Sequence, residues 1–113
     1  MTIETAFTRT FDLRHPIMLA PMDKVAGGEL AAAVSAAGGL GVIGGGYGDP
    51  DWVERAFQDA GNQRVGVGFI TWSAQRNPAA VERALAHDPA AFMVSFGDAE
   101  DLISAAQERG IPT

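Results

Sequence analysis

The sequence predicts an α/β fold that consists of the first four strand–helix units of a (β/α)₈ TIM barrel, a half-barrel with a parallel sheet. Short apolar runs recur every 25 or 26 residues, centred on Ile17, Val42, Val67 and Met93. An Ala-rich helical pattern follows each run, and a fixed period of this size indicates one repeated supersecondary unit. Strands that alternate with helices in this way favour a parallel sheet.

The length of the chain bounds the number of units. The period places a fifth strand at about residue 118, whereas the chain has 113 residues. A complete barrel takes at least about 200 residues. We therefore expect a lead-in over residues 1–15 and a partial barrel domain over residues 16–113. Three apolar residues of the lead-in are expected to cover the bottom of the barrel: Phe7, Phe11 and Leu13.

The first unit begins with a strand from Pro16 to Ala20, where proline is tolerated as the first residue. Its helix is predicted over Gly28 to Ala37, because apolar residues recur there at the spacing of one helix face. The pair Gly38-Gly39 ends this helix. The second strand is predicted over Leu40 to Ile43.

The next three units have clear helix starts. Asp49-Pro50 combines a capping side chain with proline at the first helical position. The third unit repeats the device at Asn77-Pro78, after a strand over Val65 to Ile70. In the fourth unit, a strand over Ala91 to Ser95 precedes a helix that opens at Asp98 with a pattern resembling a capping box.

Composition narrows the functional classes. A net charge of −6 argues against a nucleic-acid or anionic-membrane surface. The absence of cysteine excludes disulfides, thiolate metal sites and cysteine nucleophiles. Because the N-terminal residues contain no unbroken apolar stretch, we expect neither a signal peptide nor a membrane span, and a cytoplasmic protein that acts on a small molecule.

The candidate site lies where the strands end, since barrel chemistry sits at the C-terminal ends of the strands. Glycine, aromatic and sulfur-bearing residues gather in the loops there: Pro21–Lys24, Gly44–Gly48, Thr71–Ser73 and Phe96–Gly97. Glycine lets backbone approach a flat ligand closely. Asp23 and Lys24 either orient a polar ligand, act in proton transfer or form a solvated ion pair. Trp72 either walls the pocket or packs structurally.

Several other features are predicted to have no functional role. His15 and His87 fall at the opposite face of the barrel, where neither can act as a catalytic base. The G-x-G-x-x-G pattern at residues 39–44 contains a predicted strand instead of following one, so it is a chance match. No nucleophilic triad and no metal-ligand spacing can be assembled from the sequence.

Four segments carry a family resemblance: His15–Met22, Glu29–Gly41, Gly66–Ile70 and Met93–Gly97. Together they resemble the first four strands and the first helix of the nitronate monooxygenase family, formerly called 2-nitropropane dioxygenases. The resemblance covers about residues 14–113. Parts of the pattern also recur in flavin-dependent enoyl-ACP reductases.

The resemblance implies an FMN-dependent barrel that oxidises alkyl nitronates with O₂ to a carbonyl compound and nitrite. It places Ala20, Pro21 and Met22 against the flavin ring. Gly68 falls at a position that is often Asn in the family, so a contact from it would come from backbone alone. The family's catalytic histidine and phosphate loops fall in the second half of the barrel, so no catalytic residue is assigned in this chain.

Three interpretations therefore stay open at the level of the sequence. The first is the N-terminal part of a nitronate monooxygenase-like flavoprotein, and the second is an enoyl-ACP reductase-like barrel. The third is a noncatalytic half-barrel that self-associates or pairs with the other half, because its end strands are open edges. We expect the 113-residue chain alone to bind FMN weakly or not at all.

Overall fold

The computed structural model describes residues 2–113, so Met1 of the predicted lead-in lies outside the described residues. Its sheet is parallel and three-stranded, in the order β1 (Gly41–Gly46), β2 (Val65–Ile70) and β3 (Phe92–Ser95). The helices are α1 (Ala6–Phe11), α2 (Gly28–Ala36), α3 (Pro50–Ala60), α4 (Thr71–Arg76), α5 (Pro78–Ala86) and α6 (Glu100–Glu108).

The register of the sheet confirms the predicted repeat. Ile43 of β1 lies opposite Val67 of β2, and Val67 lies opposite Phe92 of β3. A parallel bridge between Met18 and Leu40 adds the first apolar run to the same sheet edge. All four runs therefore lie side by side and point the same way, as the first four strands of a barrel require.

The first strand is shorter than predicted. The expected strand over Pro16 to Ala20 is reduced to the single Met18–Leu40 bridge, in which Leu40 N donates to Ile17 O and Leu19 N donates to Leu40 O, both at 2.9 Å. The next step of a parallel ladder needs an N–H from residue 21. Residue 21 is proline, which has no N–H, so the ladder stops there.

The two faces of the sheet carry separate apolar clusters. Adjacent residues of a strand point to opposite faces, and Ile43 belongs to the cluster beneath the helices whereas Val42 belongs to a smaller one. Three residues of the lead-in pack against the smaller cluster: Phe7, Phe11 and Leu13. This contact confirms the prediction that they cover the bottom of the barrel.

The helix starts agree with the predictions only in part. The Asp49 carboxylate accepts from the backbone N–H groups of Asp51 and Trp52, which confirms the predicted cap of α3. Asn77 makes no such bond to α5. Its side-chain amide donates back to Ser73 O at 2.9 Å, so it ties down the end of α4 instead.

Three segments differ from the predictions: the start of α4, the end of β1 and the start of α6. Residues Thr71–Ser73, predicted to be a loop, begin helix α4 directly after β2. Strand β1 runs on to Gly46, beyond the predicted end at Ile43. At α6 the N-cap position is Ala99, and the Asp98 carboxylate accepts one backbone N–H, that of Glu100 at 3.3 Å, so the predicted capping box does not form.

No helix within residues 2–113 combines the length and the hydrophobicity that crossing a bilayer would need.

Candidate functional site

A cleft of about 230 Å³ opens at the C-terminal ends of the strands. The segment after the first apolar run, the ends of β1 and β2, and the residues after β3 all contribute to it. Its lining residues are Pro21, Met22, Asp23, Gly46, Gly68, Phe69, Ile70, Ser95 and Phe96. The cleft therefore lies at the end of the sheet where barrel enzymes carry their chemistry.

The floor of the cleft is a segment of chain that crosses glycine positions of the sheet. A side chain at Gly68 of β2 would meet the ring of Pro21, since an ideal Cβ atom would lie 2.5 Å from Pro21 Cβ and Cγ. Real Cβ contacts are never that short, so glycine at residue 68 is what lets Pro21 lie flat on the strand. The space at Gly68 is thus filled by Pro21 of the same chain. The expectation was that glycine at this end of the strands would let a flat ligand approach the backbone directly.

Asp23 likewise packs against glycine positions of β1. An ideal Cβ atom at Gly44 would lie 2.8 Å from Asp23 Cα, and one at Gly46 would lie 2.7 Å from Asp23 Cγ. Gly46 has a positive φ of 54° and follows a shift in the register between β1 and β2. These two glycines leave the space in which the Asp23 backbone and carboxylate lie.

The wall of the cleft is mainly apolar, with two polar groups. Met22, Phe69, Ile70 and Phe96 provide apolar surface, and the polar side chains are those of Asp23 and Ser95. Phe96 is 78% exposed and has a φ of 61°, a left-handed conformation that a bulky residue seldom adopts. An apolar wall with few polar groups is typical of small-molecule sites.

The structure brings together three of the four predicted cofactor-binding residues. Pro21, Met22 and Gly68 all line the cleft. Ala20 is exposed and is not among the lining residues. The role of these four residues toward FMN stays a prediction.

Of the remaining candidates, Asp23 lines the cleft, whereas Lys24 and Trp72 lie outside it. The Lys24 ammonium lies 6.0 Å from the centre of the Trp52 ring, and Trp52 Nε1 donates to Gly44 O at 3.0 Å. Trp72 contacts Tyr47, with 6.0 Å between ring centres, and does not line the cleft. Trp72 is 45% exposed, so the structure places it neither on the wall of this cleft nor in the core.

The histidines also lie away from the cleft. The His87 ring stacks on Phe57, with 4.6 Å between centres and an interplanar angle of 1°, and its Nε2 contacts the Glu54 carboxylate. His15 is exposed beside Gly38. Neither lines the cleft, so no base is available to it from these two residues.

Gly46 and Phe96 belong to the predicted site loops, whereas sequence reasoning missed three lining residues: Phe69, Ile70 and Ser95. A signal for them exists, because each lies within two residues of the C-terminal end of a strand. For Phe69 the local pattern indicates burial, and the residue is indeed 2% exposed. Only the opening of the cleft beside β2 shows that its ring also borders the site.

Comparisons with known proteins agree with this architecture. A protein-family model described as nitronate monooxygenase matches residues 4–63, just over half of the chain. Among curated proteins, no sequence matches the chain. Two solved structures of FabK from Thermotoga maritima, one of them a mutant, are similar with TM-scores of 0.84 and 0.83 at 28% identity.

The extent of these matches defines what they show. They cover 97% and 96% of this chain but 36% and 37% of the FabK chains, so the chain spans little more than a third of the protein that it resembles. The coverage fits four parallel units of a larger barrel, and the family match includes the crossing segment that forms the floor of the cleft. On this combined evidence, the chain belongs to the nitronate monooxygenase family.

Proposed function

We propose that the chain forms part of the flavin site of an FMN-dependent oxidoreductase that oxidises alkyl nitronates with O₂ to a carbonyl compound and nitrite. The observation that carries the proposal is the cleft itself, in which Pro21 and Met22 cross the strand end at Gly68. Family membership supports a flavin as the cofactor. The flavin would supply the electron transfer, and the protein would supply orientation and electrostatics.

The lining of the cleft fits a flavin ring. Such a ring has apolar faces and a polar pyrimidine edge. The cleft offers apolar surface from Met22, Ile70 and Phe96, and a carboxylate that can accept an N–H bond from Asp23. No cation lines the cleft to pair with a phosphate group. We therefore expect the ring, and not the phosphate, to account for any affinity of this chain for FMN.

Flavin titration tests the proposal. We expect riboflavin and FMN to bind weakly and with similar affinity, because the phosphate finds no partner in the cleft. Visible absorbance and flavin fluorescence report the binding. Met22→Asp should abolish the spectral change, since Met22 lines the cleft and is 43% exposed, so the fold tolerates a charge there.

The matched control is Val25→Asp. Val25 is 73% exposed and does not line the cleft, so this variant should bind flavin like the unchanged chain. A chain that leaves both flavin spectra unchanged at millimolar flavin contradicts the proposal. For the reaction, nitrite released from an alkyl nitronate supports it, whereas NAD(P)H oxidation with an enoyl thioester supports the enoyl-reductase alternative.

A second candidate function is self-association through the open face of the half-barrel. An apolar groove of about 370 Å³ lies on the face that carries Val42, opposite the main core, and is lined by Phe7, Phe11, Met18, Leu40 and Met93 among others. Met18 is 40% exposed there. Exposed apolar surface of this kind marks interaction sites, and we propose a second copy of this chain as its occupant.

A further inference from the structure

Among residues 2–113, Asp23 carries the only charged side chain that lines the cleft. It is half-buried, and no hydrogen-bond donor or cationic group within residues 2–113 pairs with its carboxylate. The neighbouring Lys24 would be the obvious counter-ion, but its ammonium lies over the Trp52 ring instead. The cleft therefore carries a negative charge that the described part of the chain does not neutralise.

The position of this carboxylate is built into the backbone. Asp23 has a positive φ of 48°, a conformation that Asp and Asn adopt more readily than other side chains. Gly44 and Gly46 provide the space for its backbone and its carboxyl group, and any side chain at either position would collide with Asp23. Two strand residues and one left-handed turn thus fix the charge at the rim of β1.

A fixed carboxylate without a partner discriminates between ligands by charge. It accepts hydrogen bonds and donates none, and its interaction with a ligand charge is attractive for cations and repulsive for anions. The surrounding apolar surface from Met22 and Phe96 strengthens this effect, because water screens a charge less where it is excluded. A ligand that fills a cleft of about 230 Å³ cannot avoid its vicinity.

We propose that Asp23 is a specificity-determining residue that makes the cleft prefer neutral or cationic planar ligands with an N–H donor over anionic ones. The preference applies to whatever ring occupies the cleft. Its meaning for the substrate rests on the proposed function. There, an alkyl nitronate, which is an anion, would bind with its charge directed away from the Asp23 carboxylate.

Three isosteric planar probes test the preference directly: benzamidine, benzamide and benzoate, which are cationic, neutral and anionic. Their binding is followed by NMR through the amide signals of Gly68 and Ser95. In the unchanged chain we expect affinity to fall in that order, with at least about a five-fold difference between benzamidine and benzoate. Asp23→Asn should make the three affinities similar, because asparagine keeps the left-handed backbone and removes the charge.

The matched control is Asp88→Asn. Asp88 also has a positive φ, of 51°, but it is exposed after α5 and does not line the cleft. This variant changes the net charge equally and should keep the order of affinities. The proposal is overturned if benzoate binds the unchanged chain as well as benzamidine, if none of the probes binds, or if D23N keeps the order. It is also overturned if D88N removes the order.

Riboflavin added in the same experiment separates this inference from the flavin proposal. A cleft that orders the three probes but does not bind riboflavin contradicts the flavin site and leaves the role of Asp23 standing. A cleft that binds riboflavin without ordering the probes contradicts the role of Asp23 alone. The order in the unchanged chain needs no variant, so misfolding of D23N cannot obscure the result.

Discussion

At the scale of single residues, the candidate site depends on glycines that admit other parts of the same chain. Gly68 admits the ring of Pro21, and Gly44 and Gly46 admit Asp23. A side chain at any of these three positions would force the segment that carries Pro21 and Asp23 off the strand ends. The cleft therefore exists because three strand residues have no Cβ atom.

Gly68→Ala tests this dependence. Its methyl group would lie 2.5 Å from two carbon atoms of Pro21, so either the proline ring or β2 must shift. Overpacking of this kind typically destabilises a protein by about 1–3 kcal/mol. We expect a loss of that size in the free energy of unfolding, measured by denaturant titration.

Gly66→Ala is the control on the same strand. Its Cβ atom would lie 3.1 Å from Ala91 O and 3.3 Å from Ala91 Cβ, contacts that shifts of a few tenths of an ångström relieve. It should cost clearly less than G68A. Equal losses for the two variants would show that Pro21 moves aside at little cost.

The sequence allowed the Pro21 and Met22 positions to be predicted, but not the position of the Asp23 charge. Pro21 and Met22 lie in a loop whose location at the strand ends follows from the repeat. Whether Asp23 faces a ligand or solvent depends on Gly44 and Gly46, about twenty residues away, and on the register shift between them. No local pattern contains that information.

At the scale of elements, two helix starts that look alike in the sequence differ in the structure. Asp49-Pro50 caps α3, whereas the Asn77 amide of Asn77-Pro78 donates to Ser73 O of the preceding helix. The difference arises because α4 ends directly at Asn77, so the nearest free groups are carbonyls. A side-chain amide can donate to them, and a carboxylate cannot.

Asp49→Ala should destabilise the chain by about 1 kcal/mol, the usual cost of losing an N-cap. Asp49 accepts from two backbone N–H groups, at 3.0 Å from Asp51 N and 3.3 Å from Trp52 N. Asp98→Ala is the comparison, since the Asp98 carboxylate accepts one backbone N–H, that of Glu100 at 3.3 Å. Thermal unfolding followed by circular dichroism measures both. A larger loss for D98A would mean that the α3 cap contributes little.

The bounds of three elements could not be predicted from their own residues. Helix α4 has a composition that fits either loop or helix, and only its direct continuation from β2 decides. The first strand has the right pattern, but a ladder needs donors from both partners and Pro21 provides none. Strand β1 extends through a glycine run that is ordinarily a turn signal, because it pairs with β2 on one side.

At the scale of the whole molecule, the period of 25 or 26 residues was sufficient to predict the architecture. A repeat fixes the order and the direction of strands without fixing any single contact. A half-barrel also has an inner face, and the groove lined by Met18 and Met93 lies on that face.

Met18→Lys tests whether this groove mediates self-association. A charged side chain in the groove should reduce dimer formation by the chain at least about ten-fold, the effect of roughly 1.4 kcal/mol. Leu30→Lys is the matched control, because Leu30 on α2 is 41% exposed and Met18 is 40% exposed. Analytical ultracentrifugation measures both. A monomeric unchanged chain, or equal loss in the two variants, contradicts the proposed dimer.

The isolated bridge between Met18 and Leu40 has one more consequence. Within residues 2–113 the first apolar run pairs with the sheet at this one bridge, so its loss would leave the pairing of β1, β2 and β3 intact. That same segment leads directly into Pro21 and Met22. A molecule that binds in the cleft would therefore also stabilise the attachment of the first apolar run to the sheet, so the two equilibria are coupled.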